Sequence, residues 1–114
     1  MSDGCIFCSI VSGAVPAEIL HRDERAIAIR DLNPQAPTHV LVIPTQHAAH
    51  LSEFVASAGE AEAGALFSLA SRIGAQAPGD GYRIVVNEGP DGGQTVHHLH
   101  LHVLAGRRLR WPPG

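Results

Sequence analysis

The stretch Gly92-Gly93-Gln94-Thr95-Val96-His97-His98-Leu99-His100-Leu101-His102-Val103-Leu104 decides the fold, because polar and apolar residues alternate through its second half. A period of two is typical of a β-strand with one buried face. A strand over residues 96–104 would turn its leucine and valine side chains towards the core and present a row of histidines on the opposite face: His98, His100 and His102. Neighbouring imidazoles in this row would lie roughly 6.6 Å apart, twice the rise of about 3.3 Å per residue.

This histidine row predicts a functional site, because packing titratable rings side by side is unfavourable for stability unless the rings bind or react with a ligand. Neutral imidazole is a common metal ligand, and histidine is also a nucleophile that can attack a phosphate. The spacing alone leaves both interpretations open. The glycine-rich loop just before the row, residues 89–95, favours a phosphate, because its backbone N–H groups can approach an anion closely.

Composition narrows the class of protein. With 114 residues and 12.0 kDa, the chain is expected to form a single domain over residues 1–114. All 8 basic residues are arginines, which excludes lysine Schiff-base chemistry and a P-loop lysine. The net charge of -3 argues against nucleic acid as a partner. No basic and apolar leader and no membrane-length apolar window are present, so we expect a cytoplasmic protein without a membrane partner.

Two cysteines, Cys5 and Cys8, form a C-x-x-C pair near the N-terminus. In a cytoplasmic protein a disulfide is disfavoured, and metal binding is the better interpretation. A redox motif would need a strand before it, for which four residues leave little room. A zinc site would need two more ligands, which this histidine-rich chain can supply.

The remaining patterns predict an α+β fold with a mainly antiparallel sheet. Strands are expected at residues 19–21, 26–30, 39–44 and 82–87. One long helix is expected at residues 57–76, with Ser57 as its N-cap and Glu60 completing a capping box. Its core face should carry residues at helical spacing: Leu66, Phe67, Ala70, Ile73 and Ala77. A short helix at residues 9–13 should end at Gly13.

Taken together, these motifs resemble the histidine triad (HIT) superfamily, in its histidine triad nucleotide-binding (Hint) branch of the bacterial type with an N-terminal C-x-x-C. The signature is His98-Leu99-His100-Leu101-His102-Val103-Leu104. Four further segments match the branch in the right order: residues 31–39, 86–89, 91–94 and 111–114. The resemblance covers nearly the whole chain and implies a single HIT domain in a homodimer.

The resemblance implies a hydrolase that cleaves purine nucleoside phosphoramidates, such as adenosine 5'-phosphoramidate. His100 would be the nucleophile that forms a nucleotidyl-histidine intermediate, from which water releases the nucleoside monophosphate. His102 would contact the phosphate oxygens. The backbone of Gly93 and Gln94 and the side chain of Asn87 would share the developing charge.

Other positions of the family's site match residues of this chain. Asp31 matches the ribose-binding acid, and Thr95 occupies the place of a serine near the leaving group. An apolar base pocket is matched by Phe7, Ile10, Val15, Ile29 and Leu32. His39 is expected to orient the triad, and Trp111 to approach the active site of the partner subunit.

The family's zinc ligands in the C-x-x-C type match Cys5, Cys8, His47 and His98 one for one. Such a Cys₂His₂ set is closed and tetrahedral, so the resemblance implies a structural Zn²⁺ and no catalytic metal.

The sequence leaves three alternative functions open. A nucleotide-binding adaptor with weak hydrolysis would act through its surface, although it would have no need of the nucleophile His100. A metallohydrolase would bind zinc through all three triad histidines but would leave Cys5 and Cys8 unexplained. Dinucleoside polyphosphate hydrolysis is a further candidate activity.

Overall fold

A five-stranded antiparallel sheet forms the centre of the molecule in the computed structural model, which describes residues 4–114. Its strands are β1 (Ile19–Arg22), β2 (Ala26–Arg30), β3 (Thr38–Pro44), β4 (Tyr82–Val85) and β5 (Leu101–Ala105). They lie in the order β1-β2-β3-β5-β4, and each neighbouring pair is antiparallel. The α+β class and the mainly antiparallel sheet predicted from the sequence are confirmed.

The central strand β3 explains why its sequence reads as one apolar run. Val40 and Val42 pack on one face of the sheet, while Leu41 and Ile43 pack on the other, and all four are buried. A strand covered on both faces needs no polar alternation. The larger apolar cluster lies between the sheet and the helices that follow β3, and the smaller one lies under the N-terminal helix.

The helices are α1 (Ile6–Ser12), α2 (Leu51–Ala58) and α3 (Glu60–Gln76). α1 ends at Gly13, whose φ of 87° is left-handed, as predicted from the sequence, but it begins three residues before the predicted position 9. Its N-cap is Cys5, whose Sγ accepts a hydrogen bond from the backbone N–H of Cys8. The C-x-x-C pair is therefore part of the helix start.

The predicted helix start at Ser57 is wrong. Ser57 lies inside α2, and Gly59, with a φ of 93°, separates α2 from α3. The true cap of α2 is His50, whose Nδ1 accepts a hydrogen bond from the backbone N–H of Glu53. Histidine is an uncommon N-cap, so sequence patterns favour a helix start at Ser57, with Glu60 three residues later.

The predicted core face of α3 is also partly wrong. Leu66 and Ala70 are buried as expected, but Phe67 is 37% exposed. The face that contacts the sheet instead contains residues at spacings of three and four that include small side chains: Ala63, Leu66, Leu69, Ala70 and Gly74. Phe67 lies beside this stripe and remains on the surface.

The histidine strand is shorter than predicted. β5 begins at Leu101 instead of residue 96, and β4 ends at Val85 instead of residue 87. Before Leu101 the chain leaves the ladder, because the backbone N–H of Leu99 donates to the Ala48 carbonyl at 2.8 Å. The inward-facing set is nevertheless confirmed: Leu99, Leu101 and Val103 are at most 1% exposed.

Within residues 4–114, no helix is long and apolar enough to cross a membrane.

Candidate active site and metal centre

Four side chains that the sequence spreads over 94 positions converge at the N-terminal end of α1: Cys5, Cys8, His47 and His98. Their ligand atoms all lie within 4.8 Å of one another. The Nδ1 atom of His98 lies 3.3 Å from Cys5 Sγ, 3.4 Å from Cys8 Sγ and 3.1 Å from His47 Nδ1. A tetrahedral zinc, with Zn–N of about 2.1 Å and Zn–S of about 2.3 Å, places ligand atoms roughly 3.4–3.8 Å apart, so the three separations from His98 Nδ1 lie within a few tenths of an ångström of this geometry.

The protonation of His98 suits a metal ligand. Its ring is fully buried, and its Nε2–H donates to the Pro44 carbonyl at 2.9 Å. The lone pair is therefore on Nδ1, which faces the two thiols. Burial lowers the pKa of His98 and so keeps the ring neutral, while the Pro44 carbonyl acts in the opposite direction. The Cys5, Cys8, His47 and His98 site fits a structural Zn²⁺.

His100 lies immediately beside this centre but is not part of it. Its Nδ1–H donates to the backbone carbonyl of His98 at 2.8 Å, so its Nε2 carries the free lone pair. Its ring is 8% exposed and packs edge-on against the ring of Phe7, with 5.0 Å between centroids. Burial lowers the pKa of His100, although the His98 carbonyl and the charge of Asp31 oppose the shift. The geometry therefore presents a neutral imidazole with one nitrogen available for bond formation.

His102 pairs with His39 across strands β5 and β3. Their rings share a hydrogen bond of 2.9 Å between His39 Nε2 and His102 Nδ1. Asp31 Oδ2 lies 3.4 Å from the same His39 nitrogen. Burial, followed by the neighbouring His100 and His39, lowers the pKa of His102 to about 4, and Asp31 opposes this shift. Burial also lowers the pKa of His39, again against the effect of Asp31.

The predicted row of equally spaced histidines is wrong. The rings of His100 and His102 lie only 5.0 Å apart between centroids, and His98 turns away into the thiol cluster. In the described part of the chain, the three triad histidines form no common metal-binding group. The metallohydrolase alternative therefore loses its proposed ligand set.

The expected phosphate-binding amides at Gly93 and Gln94 are occupied within their own loop. The N–H of Gly93 donates to the Pro90 carbonyl, and the N–H of Gln94 donates to the Gly89 carbonyl, both at 3.1 Å. The Gln94 side chain ties the loop to the Ala49 and Val96 carbonyls. Backbone N–H groups in a compact turn often bond to carbonyls of the same turn. These two residues therefore stabilise the loop and do not offer free N–H groups.

Two cavities flank the histidines. One of about 450 Å³ lies beside Cys5 and His47 and is lined also by Thr95. Thr95 is exposed and forms no hydrogen bond within residues 4–114. The other, of about 270 Å³, is lined by His39, His102 and Asn87. The structure therefore brings Asn87 next to the histidine pair.

The predicted base-pocket residues divide into two groups. Phe7, Ile10 and Ile29 are buried together in the smaller apolar cluster, and Val15 packs against them. Leu32, by contrast, is 97% exposed. Trp111 is 82% exposed on the C-terminal tail, consistent with the predicted extended arm.

Sequence reasoning missed three backbone groups that define the site. The carbonyls of Pro44 and His98 fix the tautomers of His98 and His100, and the N–H of Gln35 donates to His39 Nδ1 at 3.0 Å. No side-chain pattern could reveal them, because every residue carries the same main-chain groups.

Comparison with known proteins places this arrangement in a family. The model of the HIT domain matches residues 12–109. A zinc-binding protein of 14 kDa from Zea mays is 40% identical, and the match covers 96% of this chain and 87% of the relative.

Solved structures agree with this assignment. A HIT family hydrolase from Legionella pneumophila Philadelphia 1 matches with a TM-score of 0.89 and 42% identity, covering 96% of this chain and 99% of that chain. A zinc-bound histidine triad family protein from Mycobacterium smegmatis matches with a TM-score of 0.82 and 34% identity, covering 94% and 78%. The chain belongs to the HIT domain family, and its fold is that of the HIT family hydrolases.

Proposed function

We propose that the protein is a hydrolase of purine nucleoside 5'-phosphoramidates that acts through a nucleotidyl-His100 intermediate. The observation that carries the proposal is the hydrogen bond from His100 Nδ1–H to the His98 carbonyl, which leaves Nε2 as the only nucleophilic nitrogen of a neutral ring. Imidazole in this state attacks phosphorus without first losing a proton.

The reaction then has two steps. In the first, His100 Nε2 bonds to the α-phosphorus and the P–N bond breaks, so that the leaving nitrogen takes up a proton from solvent and departs as ammonia or an amine. In the second, a water oxygen bonds to phosphorus and the bond to Nε2 breaks. The products are the nucleoside monophosphate, a proton and His100 in its original tautomer.

The residues around His100 would stabilise the charge that develops on the phosphate oxygens. His102, whose Nδ1 is occupied by His39, is left with Nε2–H as a donor. Asn87 lines the same cavity and supplies an amide donor. Donors that are already oriented are effective because they need no rearrangement during the reaction. Thr95 provides a hydroxyl for the leaving group.

For the nucleoside, Asp31 is the proposed ribose ligand. Its Oδ1 accepts the backbone N–H of Asn33, which leaves Oδ2 near the histidine pair available for a sugar hydroxyl. The buried side chains of Phe7, Ile10 and Ile29, with Val15, are proposed to form the floor beneath a purine. Leu32, exposed in the free protein, would cover the base and gain apolar burial.

We propose that Zn²⁺ occupies the site of Cys5, Cys8, His47 and His98 and has a structural role. When bound, it would tie α1 to the chain segment before β5. The catalytic steps above use only His100 and the groups around it.

A homodimer is the proposed assembly. β4 is an outer strand with an open hydrogen-bonding edge, and Tyr82 on it is 39% exposed. Phe67 and Ser71, one helical turn apart on α3, lie on the same side, because the Ser71 hydroxyl lies 2.9 Å from the Tyr82 hydroxyl. Sedimentation equilibrium would test this, and a monomer at micromolar concentration would contradict it.

The direct test is steady-state hydrolysis of adenosine 5'-phosphoramidate by the wild type and by His100→Ala, each with and without a chelator. We expect turnover that requires His100 and survives chelation. His97→Ala is the matched control, because His97 is an exposed histidine of the same segment. Bound nucleotide without turnover would favour the adaptor function instead. Turnover lost at once on chelation would contradict a purely structural metal.

A further inference from the structure

His39 is held in one tautomer by its surroundings. The backbone N–H of Gln35 donates to His39 Nδ1 at 3.0 Å, so this nitrogen must carry a lone pair. The proton of the neutral ring is therefore on Nε2, where two acceptors face it: His102 Nδ1 at 2.9 Å and Asp31 Oδ2 at 3.4 Å.

The tautomer of His39 also determines the tautomer of His102. Because His102 Nδ1 accepts from His39, the proton of the neutral His102 ring is on Nε2. A backbone N–H in the loop thus determines that His102 offers a donor to the substrate side, while its neighbour His100 offers a lone pair. The opposite tautomer of His39 would place two N–H groups against each other at Gln35.

Two contacts fasten the loop that carries Gln35 to the chain segment after β5: a hydrogen bond from Arg107 and the packing of Gly106 on Pro37. Arg107 Nε donates to the Gln35 carbonyl at 2.8 Å, while its Nη1 donates within its own segment to the Arg108 carbonyl at 3.2 Å. Gly106, with a φ of 98°, lies against Pro37 so closely that an added Cβ would be 2.8 Å from Pro37 Cβ. Gln35 is thus held on its carbonyl side by an arginine while its N–H sets a histidine tautomer.

We propose that Arg107 is a positioning residue of the active site, which holds the Gln35 backbone by its carbonyl so that the N–H on the other side of the same Cα selects the tautomers of His39 and His102. The kinetic part of this proposal rests on the proposed function, whereas the tautomer part does not. Arg107 has no carboxylate within ion-pair distance among residues 4–114, so its guanidinium is committed to main-chain carbonyls instead of a surface ion pair.

The test compares Arg107→Gln with Arg108→Gln. Both changes remove one arginine charge, but the Arg108 side chain makes no hydrogen bond or ion pair within the described residues, and its carbonyl is retained. Arg107→Lys keeps the charge and a donor that can reach a carbonyl. Gly106→Ala disturbs the same loop by a second route, through Pro37.

The decisive readout is the tautomer itself, measured by two-bond ¹H–¹⁵N correlation spectra of the histidine rings at about pH 8. In the wild type and in Arg108→Gln we expect Nδ1 of His39 and His102 unprotonated. In Arg107→Gln and Gly106→Ala we expect mixed tautomers of His39 and His102, with partial return to the wild-type pattern in Arg107→Lys. An unchanged single tautomer in Arg107→Gln would overturn the proposal.

Kinetics add an independent readout. We expect kcat for adenosine 5'-phosphoramidate to fall by about 10- to 100-fold in Arg107→Gln, more than KM rises, since misplaced groups near the reacting atoms cost this much. Arg108→Gln should stay within about twofold of the wild type on both constants. Equal losses in the two variants would show a general charge effect and overturn the proposal. If the wild type itself does not turn over, the proposed function fails, and the spectra still decide the role of Arg107.

Discussion

The ring of Phe7 meets the ring of His100 edge-on, with 5.0 Å between centroids and 73° between planes. Phe7 lies on α1 between Cys5 and Cys8, two residues of the metal centre. One short helix and its N-cap therefore supply both cysteine ligands of that centre and the aromatic wall against the proposed nucleophile. Edge-on packing of this kind restricts the orientation of a ring as well as burying its surface.

Replacing Phe7 should show this double role. Phe7→Ala removes a buried ring that is 7% exposed, and we expect the free energy of unfolding to fall by about 3–5 kcal/mol. Phe7→Leu, which keeps most of the apolar volume, should lose less. Urea denaturation of both variants in the presence of zinc checks this. Equal stability of Phe7→Ala and wild type would contradict a packing role for this ring.

Removing zinc should lower stability more than it lowers activity. At free zinc a thousandfold above its dissociation constant, the bound metal contributes about 4 kcal/mol to the folded state. We therefore expect a chelator to lower the melting temperature of the wild type and to leave that of Cys8→Ser nearly unchanged. Elemental analysis should find one zinc per wild-type chain. A wild-type melting temperature insensitive to both zinc and chelator would rule out the structural role.

Acid should destabilise the fold through the histidine pair. The folded pKa of His102 is about 4, whereas an unfolded histidine titrates near 6.5. The folded state binds this proton less tightly, so the stabilising contribution is complete above about pH 6.5 and is lost as the pH falls towards 4. Lowered pKa values of His39 and His100 act in the same direction.

The corresponding measurement is the urea midpoint as a function of pH. We expect it to fall between about pH 6.5 and 4 in the wild type and to fall less steeply in His102→Asn, which lacks one of these groups. Parallel curves for the two proteins would show that His102 does not contribute.

Two glycines of α3 should respond oppositely to the same substitution. In Gly74→Ala the added Cβ would fall on the ring of Tyr82, so we expect a loss of about 1–3 kcal/mol from overpacking. Gly64 is exposed with nothing within 4 Å of an added Cβ, so Gly64→Ala should stabilise the helix by about 0.5–1 kcal/mol. Thermal denaturation of the pair checks both signs. Stabilisation by both would mean that Tyr82 moves aside freely.

The sequence predicts most of the sheet because its strands have strong local signals. β2 and β3 are found where apolar runs and the turn at residues 22–25 placed them. The ends of β4 and β5 and the break at Gly59 could not be predicted, since they depend on contacts between distant segments, such as Leu99 with Ala48. The capping pattern at Ser57 is misleading, because this residue lies in the last turn of α2 and Gly59 is the N-cap of α3.

The candidate site was predictable in its side chains but not in its main-chain partners. The gathering of Cys5, Cys8, His47 and His98 follows from a family resemblance and a recognisable ligand set. The occupied amides of Gly93 and Gln94 show the limit of such reasoning, because a glycine-rich loop can satisfy its own N–H groups. Which nitrogen of each histidine is protonated depends on carbonyl and amide positions that only the folded chain defines.

Residue 98 serves the two centres with different atoms. Its imidazole faces the thiols, while its carbonyl receives the proton of His100 Nδ1. Because every amino acid supplies that carbonyl, replacing the His98 side chain would remove a metal ligand and still leave His100 Nδ1–H its acceptor. The metal centre and the proposed nucleophile are thus adjacent in space and in sequence, yet they depend on different atoms of one residue.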